Sequence, residues 1–270
     1  MEAPGRCFAT SATDARPSPI VPSMVFTSPR FRGARMSRRL PPLSQRGRDT
    51  AVIVFAKRPI QGEVKTRLAS AIGAEWASSL ARAFIEDTWS LVRRLPWADS
   101  ALATTRGFVS DIGKIDPGRL WPQGDGDLGQ RIERVMQRAL VLRPSAIALG
   151  ADTPGLPVRL LDEARAALRR ADAVLGPADD GGFYLLGLRR CPPGLLVDLP
   201  WGERNTFEMT SSRLQRSGLE PVILERWFDV DRWEDLRRLS ELLDAGAVVA
   251  TATNDVIRRF RRATPSLVAP

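Results

Sequence analysis

The sequence predicts an α/β protein built on a mostly parallel sheet with helices on both faces. Three observations predict it. The run Ala51-Val52-Ile53-Val54-Phe55-Ala56 is apolar without alternation, as a strand buried on both faces requires. Strand-like and helix-like segments then alternate along the chain, and their connections are short and rich in Gly, Pro and Asp. After the first strand, Ala74 to Leu95 carries Leu80, Phe84, Ile85, Thr88, Leu91 and Val92 at helical spacing and is closed by Pro96. Ala98 to Thr104 reads as a second strand, Leu128 to Leu142 as a helix, and Ala146 to Leu149 as a third buried strand. Further helices are expected over Pro157 to Arg170, Thr206 to Ser217 and Trp233 to Leu243. Strand-like runs fall at Ala173 to Leu175, Tyr184 to Leu188 and Pro221 to Leu224. Gly176 to Trp201 interrupts the alternation with two turns and no helix, so a reversed strand is expected to enter the sheet there. No internal repeat is found.

At 270 residues the chain suits one domain plus a tail, since a single core serves up to roughly 250 residues before splitting is favoured. The formal charge of +9 is unevenly spread. Residues 1–50 hold nine Arg and three acidic residues, a net +6, which leaves +3 for the rest. The basic excess therefore belongs largely to the tail, and neither nucleic acid nor a membrane surface is expected as a partner. Residues 1–49 are read as a disordered Arg/Pro/Ser-rich tail, 50–246 as the folded domain and 247–270 as a C-terminal extension. Met24 and Met36 are alternative starts, and an overextended gene start accounts for the tail more simply than a transit peptide. No apolar run of 18 or more residues occurs. Cys7 in the tail and Cys191 in the body exclude a disulfide framework, so a cytoplasmic location is expected. Histidine is absent, which removes Ser-His-Asp, Cys-His and HExxH chemistry; acid–base and metal work fall to carboxylates.

The chain defaults to Arg: of 40 basic residues only three are Lys, and two of these, Lys57 and Lys65, lie in FAKRPIQGEVKTRL beside Arg58 and Arg67. GC-rich coding bias explains the default and leaves two clustered lysines to chance. Their position where the first strand ends favours a phosphate site, because open parallel sheets bind ligands at the carboxyl ends of strands.

Four further motifs carry candidate chemistry. GDGDLGQR at 124–131 places Asp125, Asp127 and three glycines at the entrance to a helix whose first turn holds Gln130 and Arg131. Capping is the simpler role for Asp127, while exposed helix amides with Gln130 and Arg131 suit a base, ribose or phosphate. In LGADTPGLP, at 149–157, a buried strand delivers Asp152 to a sharp turn; Mg²⁺ typically takes one or two carboxylates and leaves the rest to substrate and water. GPADDGGFYLLGL at 176–188 sets Asp179 and Asp180 before Gly181 and Gly182, either a tight turn or carboxylates that orient and activate a hydroxyl. In DVDRWEDL, at 229–236, Asp231 is an N-cap candidate with Glu234 at the capping-box position, leaving Asp229 free for a metal. Trp201, Gly202, Asn205 and Thr206 form a loop and helix start suited either to closing over a substrate or to ordinary packing.

These blocks, FAKRPIQGEVKTRLA, GDLGQR, LGADTPGL, GPADDGGFYLLGL, PWGERNTFEMT and FDVDRWEDL, resemble in their order the glycosyltransferase-A-like proteins known as radical-SAM/selenodomain-associated, or arsenosugar-type, transferases. The resemblance runs from about Ala51 to Leu243 and implies a Rossmann-like nucleotide-diphospho-sugar transferase fold. It further implies a transferase moving a sugar from a nucleotide-diphosphate sugar to a small acceptor with Mg²⁺ or Mn²⁺. By position Lys57, Arg58, Lys65, Thr66 and Arg67, with Asp127, Gln130 and Arg131, serve the nucleotide and its phosphates. By the same resemblance Asp152 and Asp229 would hold the metal, Asp180 and Asp179 would be catalytic, and Gly181, Gly182, Trp201 and Thr206 would line the substrate. Asp-Thr-Pro stands where many glycosyltransferases carry Asp-any-Asp, a departure in the metal block. The alternative is a nucleotidyltransferase acting on a phosphorylated small molecule, because guanylyltransferases of cofactor biosynthesis are similar in the KTRL loop and fold.

Overall fold

A computed structural model describes residues 47–105 and 115–264. The expected disordered tail falls almost wholly outside them. Strand β1 (Thr50–Ala56) is followed by helices α1 (Thr66–Ile72) and α2 (Ala74–Arg93), then β2 (Ala98–Thr104) and β3 (Leu120–Pro122). Helix α3 (Leu128–Leu142), β4 (Ser145–Gly150), α4 (Val158–Leu168), β5 (Ala173–Pro177) and β6 (Phe183–Leu188) come next. The chain closes with α5 (Thr206–Arg216), β7 (Pro221–Ile223), α6 (Trp233–Asp244) and α7 (Thr251–Ala263).

The described strands form one sheet in the order β3-β2-β1-β4-β6-β5-β7. β1 lies parallel between β2 and β4, with Thr50 opposite Ala98 and Ser145. β6 runs antiparallel to both β4 and β5, so the reversed strand expected between Gly176 and Trp201 is present. Side chains alternate across β1. Val52 and Val54 join Ile85 and Trp89 of α2 and Leu160 and Leu161 of α4 on one face. Ala51 and Ile53 join Ile132 and Met136 of α3 and Leu214 of α5 on the other. That two-faced burial is why β1 reads as a continuous apolar run.

A third cluster packs Leu68 and Phe84 against Leu239 of α6 and Val256 and Phe260 of α7. α7 lies within the segment read as a C-terminal extension, and its first turn is tied to α2, because Asp87 accepts from the amides of Ala252 (2.9 Å) and Thr253 (2.8 Å). β3, α1 and α7 lie outside the elements expected from sequence: β3 and α1 are short, and α7 carries five charged residues in 13, which hides its apolar stripe.

Asp49, at the entrance to β1, is clamped by Arg165 of α4 through Nε (2.9 Å) and an Nη (2.8 Å). Burial pushes its carboxyl upward, but the Arg165 contacts outweigh that and hold it below the ordinary carboxylate value. A depressed folded-state pKa contributes stability above the unfolded value, and that contribution is lost as pH falls through the carboxylate range. Urea midpoints of the parent and Asp49→Asn are therefore expected to differ at pH 6, and the difference to shrink as pH falls below about 4. A gap as wide at about pH 2 as at pH 6 contradicts this.

Candidate functional site

The order of strands reverses between β1 and β4, whose carboxyl ends open a crevice. Gln123, buried, braces it by donating through Nε2 to the carbonyls of Ala56 (3.2 Å) and Ala103 (2.9 Å). Lys65 reaches into the crevice from the loop after β1 and holds a left-handed backbone, φ 48° and ψ 44°, at the entrance to α1. Its side chain is only 6% exposed; Nζ lies 3.0 Å from Asp152 Oδ1 and 3.6 Å from Asp231 Oδ1, and 5.8 Å from the centre of the Phe84 ring. Burial would lower its pKa, but the charges of Asp152 and Asp231, with Asp229 adding to them, raise it. Lys65 is a fixed ammonium.

Residues 227–231 are stitched across the strand ends. Trp227 donates its amide to Pro177 O (3.1 Å) and Val230 donates to Asp152 O (2.9 Å). Phe228 and Val230 point into the core, so Asp229 and Asp231 alternate onto the site side. Asp231 Oδ2 accepts from Arg67 at 3.0 Å. The expected capping role of Asp231 is a correction: Asp235 accepts from the amides of Asp231 (3.1 Å) and Arg232 (2.7 Å), one residue later than the pattern suggested. The shift follows from α6 starting at Trp233, which frees the Asp231 side chain for Lys65 and Arg67.

Asp229 is pushed up to about 6, first by burial, then by the negative charge of Asp180, with Asp152 adding to it; Lys65 offsets this only in part. Carboxylates from the end of β4 and from the segment before α6 therefore surround one lysine, and Asp180, after β5, acts on that cluster through Asp229. Asp180 Oδ1 accepts from Gly182 N at 2.8 Å, and Asp179 Oδ2 is paired with Arg238 at 2.7 Å. Gly181 has φ 93°, and a Cβ there would lie 2.0 Å from the carbonyl oxygen of Arg204. Its own carbonyl accepts from Phe207 N at 2.9 Å, locking the Asp-Asp-Gly-Gly turn to the start of α5.

Beside this cluster opens a cleft of about 490 Å³, lined by Arg67, Asp179, Asp180, Gly181, Gly202 and Phe207 together with Arg204, Glu208, Arg226 and Arg232. Phe207, Glu208 and the three arginines were not expected from sequence; for Arg204, Arg226 and Arg232 the reason is that, in a chain where Arg is the default cation, a functional arginine gives no compositional signal.

Other expected site residues have local partners. Lys57 Nζ donates to Glu63 O (2.8 Å), Arg58 donates its amide to Thr105 Oγ1 (3.2 Å), and Thr66 is exposed at the start of α1. Asp127 and Gln130 form a reciprocal capping box, at 2.8 Å and 3.1 Å, so the capping reading holds. Arg131 Nε donates to the carbonyls of Gly126 (3.0 Å) and Asp127 (3.2 Å). Thr206 Oγ1 donates to the carbonyls of Pro200 and Glu203, and Trp201 packs edge-on to Phe183 with ring centres 5.9 Å apart. The Cys191 thiol is pushed up to about 12 by burial, helped by Glu133, so it stays protonated near neutral pH.

Among the described residues no group of three or more carboxylate or cysteine side chains stands ready as a metal cage. No helix among them is long and apolar enough to cross a membrane.

The sheet order, its one reversed strand and the carboxylates at the strand ends define a Rossmann-like nucleotide-diphospho-sugar transferase fold. The chain is similar to a crystal structure assigned as a nucleotide-diphospho-sugar transferase from Desulfovibrio desulfuricans G20, at 29% identity and a TM-score of 0.71 over 81% of this chain and 96% of that one. It shares the fold of 4-diphosphocytidyl-2C-methyl-D-erythritol synthase from Anaerococcus prevotii DSM 20548, at 12% identity and a TM-score of 0.51, over 73% of this chain and 99% of that one. A family model described as an uncharacterized protein conserved in bacteria (DUF2064) matches residues 99–203. No curated protein matches the sequence.

Proposed function

We propose that the chain is a glycosyltransferase of the arsenosugar-type group, moving a sugar from a nucleotide-diphosphate sugar to a small acceptor. The observation that carries this reading is the meeting of the Lys65-centred carboxylate cluster with the arginine-lined cleft through Arg67 and Asp180. The likeness to the D. desulfuricans protein supports it, because that protein is itself assigned to nucleotide-diphospho-sugar transfer.

Asp180 is the better placed of the two adjacent carboxylates to act as base, since Asp179 is held by Arg238 whereas Asp180 meets only a backbone amide. In transfer, the acceptor hydroxyl attacks the anomeric carbon, its proton passes to Asp180, and the nucleoside diphosphate departs. Lys65 holds Asp152 and Asp231 in place, and Arg67 adds positive charge beside the leaving diphosphate.

Asp152 and Asp229 fit a divalent cation. Asp152 is 57% exposed and open to ligands, and Asp229 lies in a surplus of negative charge that a cation relieves. Bound there, Mg²⁺ or Mn²⁺ supplies charge stabilisation to the diphosphate.

The test is a thermal-shift screen of nucleotide sugars and nucleoside triphosphates with each metal, followed by product analysis. A ligand at 100 times its Kd is expected to raise stability by about 2.7 kcal/mol. Asp152→Asn is expected to lose at least about ten-fold in affinity for the nucleotide in the presence of metal, roughly 1.4 kcal/mol. Unchanged affinity and metal dependence in this variant sink the metal assignment. Pyrophosphate released from a triphosphate, with no sugar nucleotide required, replaces glycosyl by nucleotidyl transfer.

A further inference from the structure

The cleft beside the crevice is built from the half of the sheet that lies beyond β4. Asp179 to Gly181 follow β5, Gly202, Arg204, Phe207 and Glu208 come from the loop and helix after β6, and Arg226 and Arg232 follow β7; from the β1 side it receives Arg67 alone. Donor phosphates at the β1–β4 crevice therefore leave this cleft for the second substrate.

Its charges are not cancelled internally. Arg67 is paired with Asp231 and Asp179 with Arg238. Among the described residues Arg204 and Arg232 make no side-chain hydrogen bond or ion pair, and Arg226 makes one, from Nη1 to the carbonyl of Ala178 at 2.7 Å. Three arginines without a carboxylate partner among the described residues thus line the cleft together with Asp180 and Glu208. The Ala178 contact fixes the plane of Arg226 while leaving its other N–H groups available, and the tight Gly181–Arg204 packing fixes the backbone that carries Arg204. One held fork with two unpaired guanidinium groups beside it suits a planar or tetrahedral oxyanion better than a neutral sugar.

We infer that Arg204, Arg226 and Arg232 form the acceptor subsite and that the acceptor is a small hydroxyl-bearing molecule carrying a phosphate or carboxylate, held so that its hydroxyl meets Asp180. This rests on the transferase reading above.

The experiment measures binding of glycerol 3-phosphate, glycerate and uncharged glycerol to the full chain, and in parallel binding of nucleotide-diphosphate sugars with Mg²⁺. The parent is expected to bind at least one of the two anions and to bind glycerol at least ten-fold more weakly, with the preferred anion telling phosphate from carboxylate. Arg204→Gln/Arg232→Gln, both at exposed positions, is expected to lose at least ten-fold in anion affinity while nucleotide-sugar affinity stays within two-fold and the thermal midpoint is unchanged. Equal binding of glycerol and the anions, or unaltered anion binding in the double variant, overturns the inference. Loss of nucleotide-sugar binding in that variant also overturns it, because the arginines then serve the donor. A parent that binds anions but no nucleotide defeats the transferase reading, and the acceptor assignment falls with it.

Discussion

Lys65→Met is expected to lower stability by about 2 kcal/mol and to weaken nucleotide-diphosphate binding at least ten-fold. The ammonium is buried, and its removal leaves Asp152, Asp229 and Asp231 facing one another with only Arg67 to offset them. Breaking a buried pair typically costs about 3–5 kcal/mol; the smaller figure is expected here because Asp152 remains more than half exposed and water can solvate it. Methionine keeps most of the side-chain volume, so lost packing contributes little. Lys65→Gly separates charge from backbone: it relieves the left-handed conformation at φ 48° while also deleting the ammonium. Both variants are expected to lose affinity, and the glycine variant to be destabilised less by backbone strain. Urea denaturation gives the stability and titration calorimetry the affinity. Parental nucleotide affinity in Lys65→Met removes Lys65 from the proposed diphosphate site.

Gly181→Ala is expected to cost at least about 2 kcal/mol and to abolish transfer. Two effects add. The residue sits at φ 93°, where an L side chain is strained, and its Cβ would fall 2.0 Å from the backbone oxygen of Arg204, which cannot swing away as a side chain could. Relief requires the Asp179–Gly182 turn to part from the start of α5, breaking the Phe207 N to Gly181 O bond. That movement displaces Asp180 and Arg204 together. Gly202→Ala is the comparison: φ is 82°, yet nothing lies within 4 Å of the added carbon, so only the strain remains and a loss of about 1 kcal/mol is expected. Thermal unfolding of the two variants separates collision from strain; equal losses contradict the collision argument.

Much of the fold was legible because burial writes a period into the chain. β2 and α3 agree with their expected limits, and β1 and α2 differ by a residue or two at an end, since each buries a continuous or helical stripe. α1 and β3 are too short to establish a period, and α7 buries Val256, Ile257 and Phe260 beneath a surface crowded with charge. Within the site, Asp152, Asp180 and Asp229 stood out because each follows a strand-like run or a glycine turn. Asp231 looked like a cap because the spacing to Glu234 imitates a capping box, and only the true start of α6 at Trp233 shows that Asp235 caps the helix.

Local order along the chain, by itself, determined an α/β sheet with a basic loop after β1 and carboxylates at its strand ends, because burial and turn chemistry depend on neighbours in sequence. Which of the two clustered lysines enters the site was decided only by tertiary structure: Lys57 latches its own loop through Glu63, while Lys65 is enclosed by acids that lie 87 and 166 positions further along the chain. So was the cleft of Arg204, Arg226 and Arg232, whose members come from the connections after β6 and β7 and share no motif. The physical reason is the same in both cases. Charge pairing is set by distance in space, and a sequence states distance only along the chain.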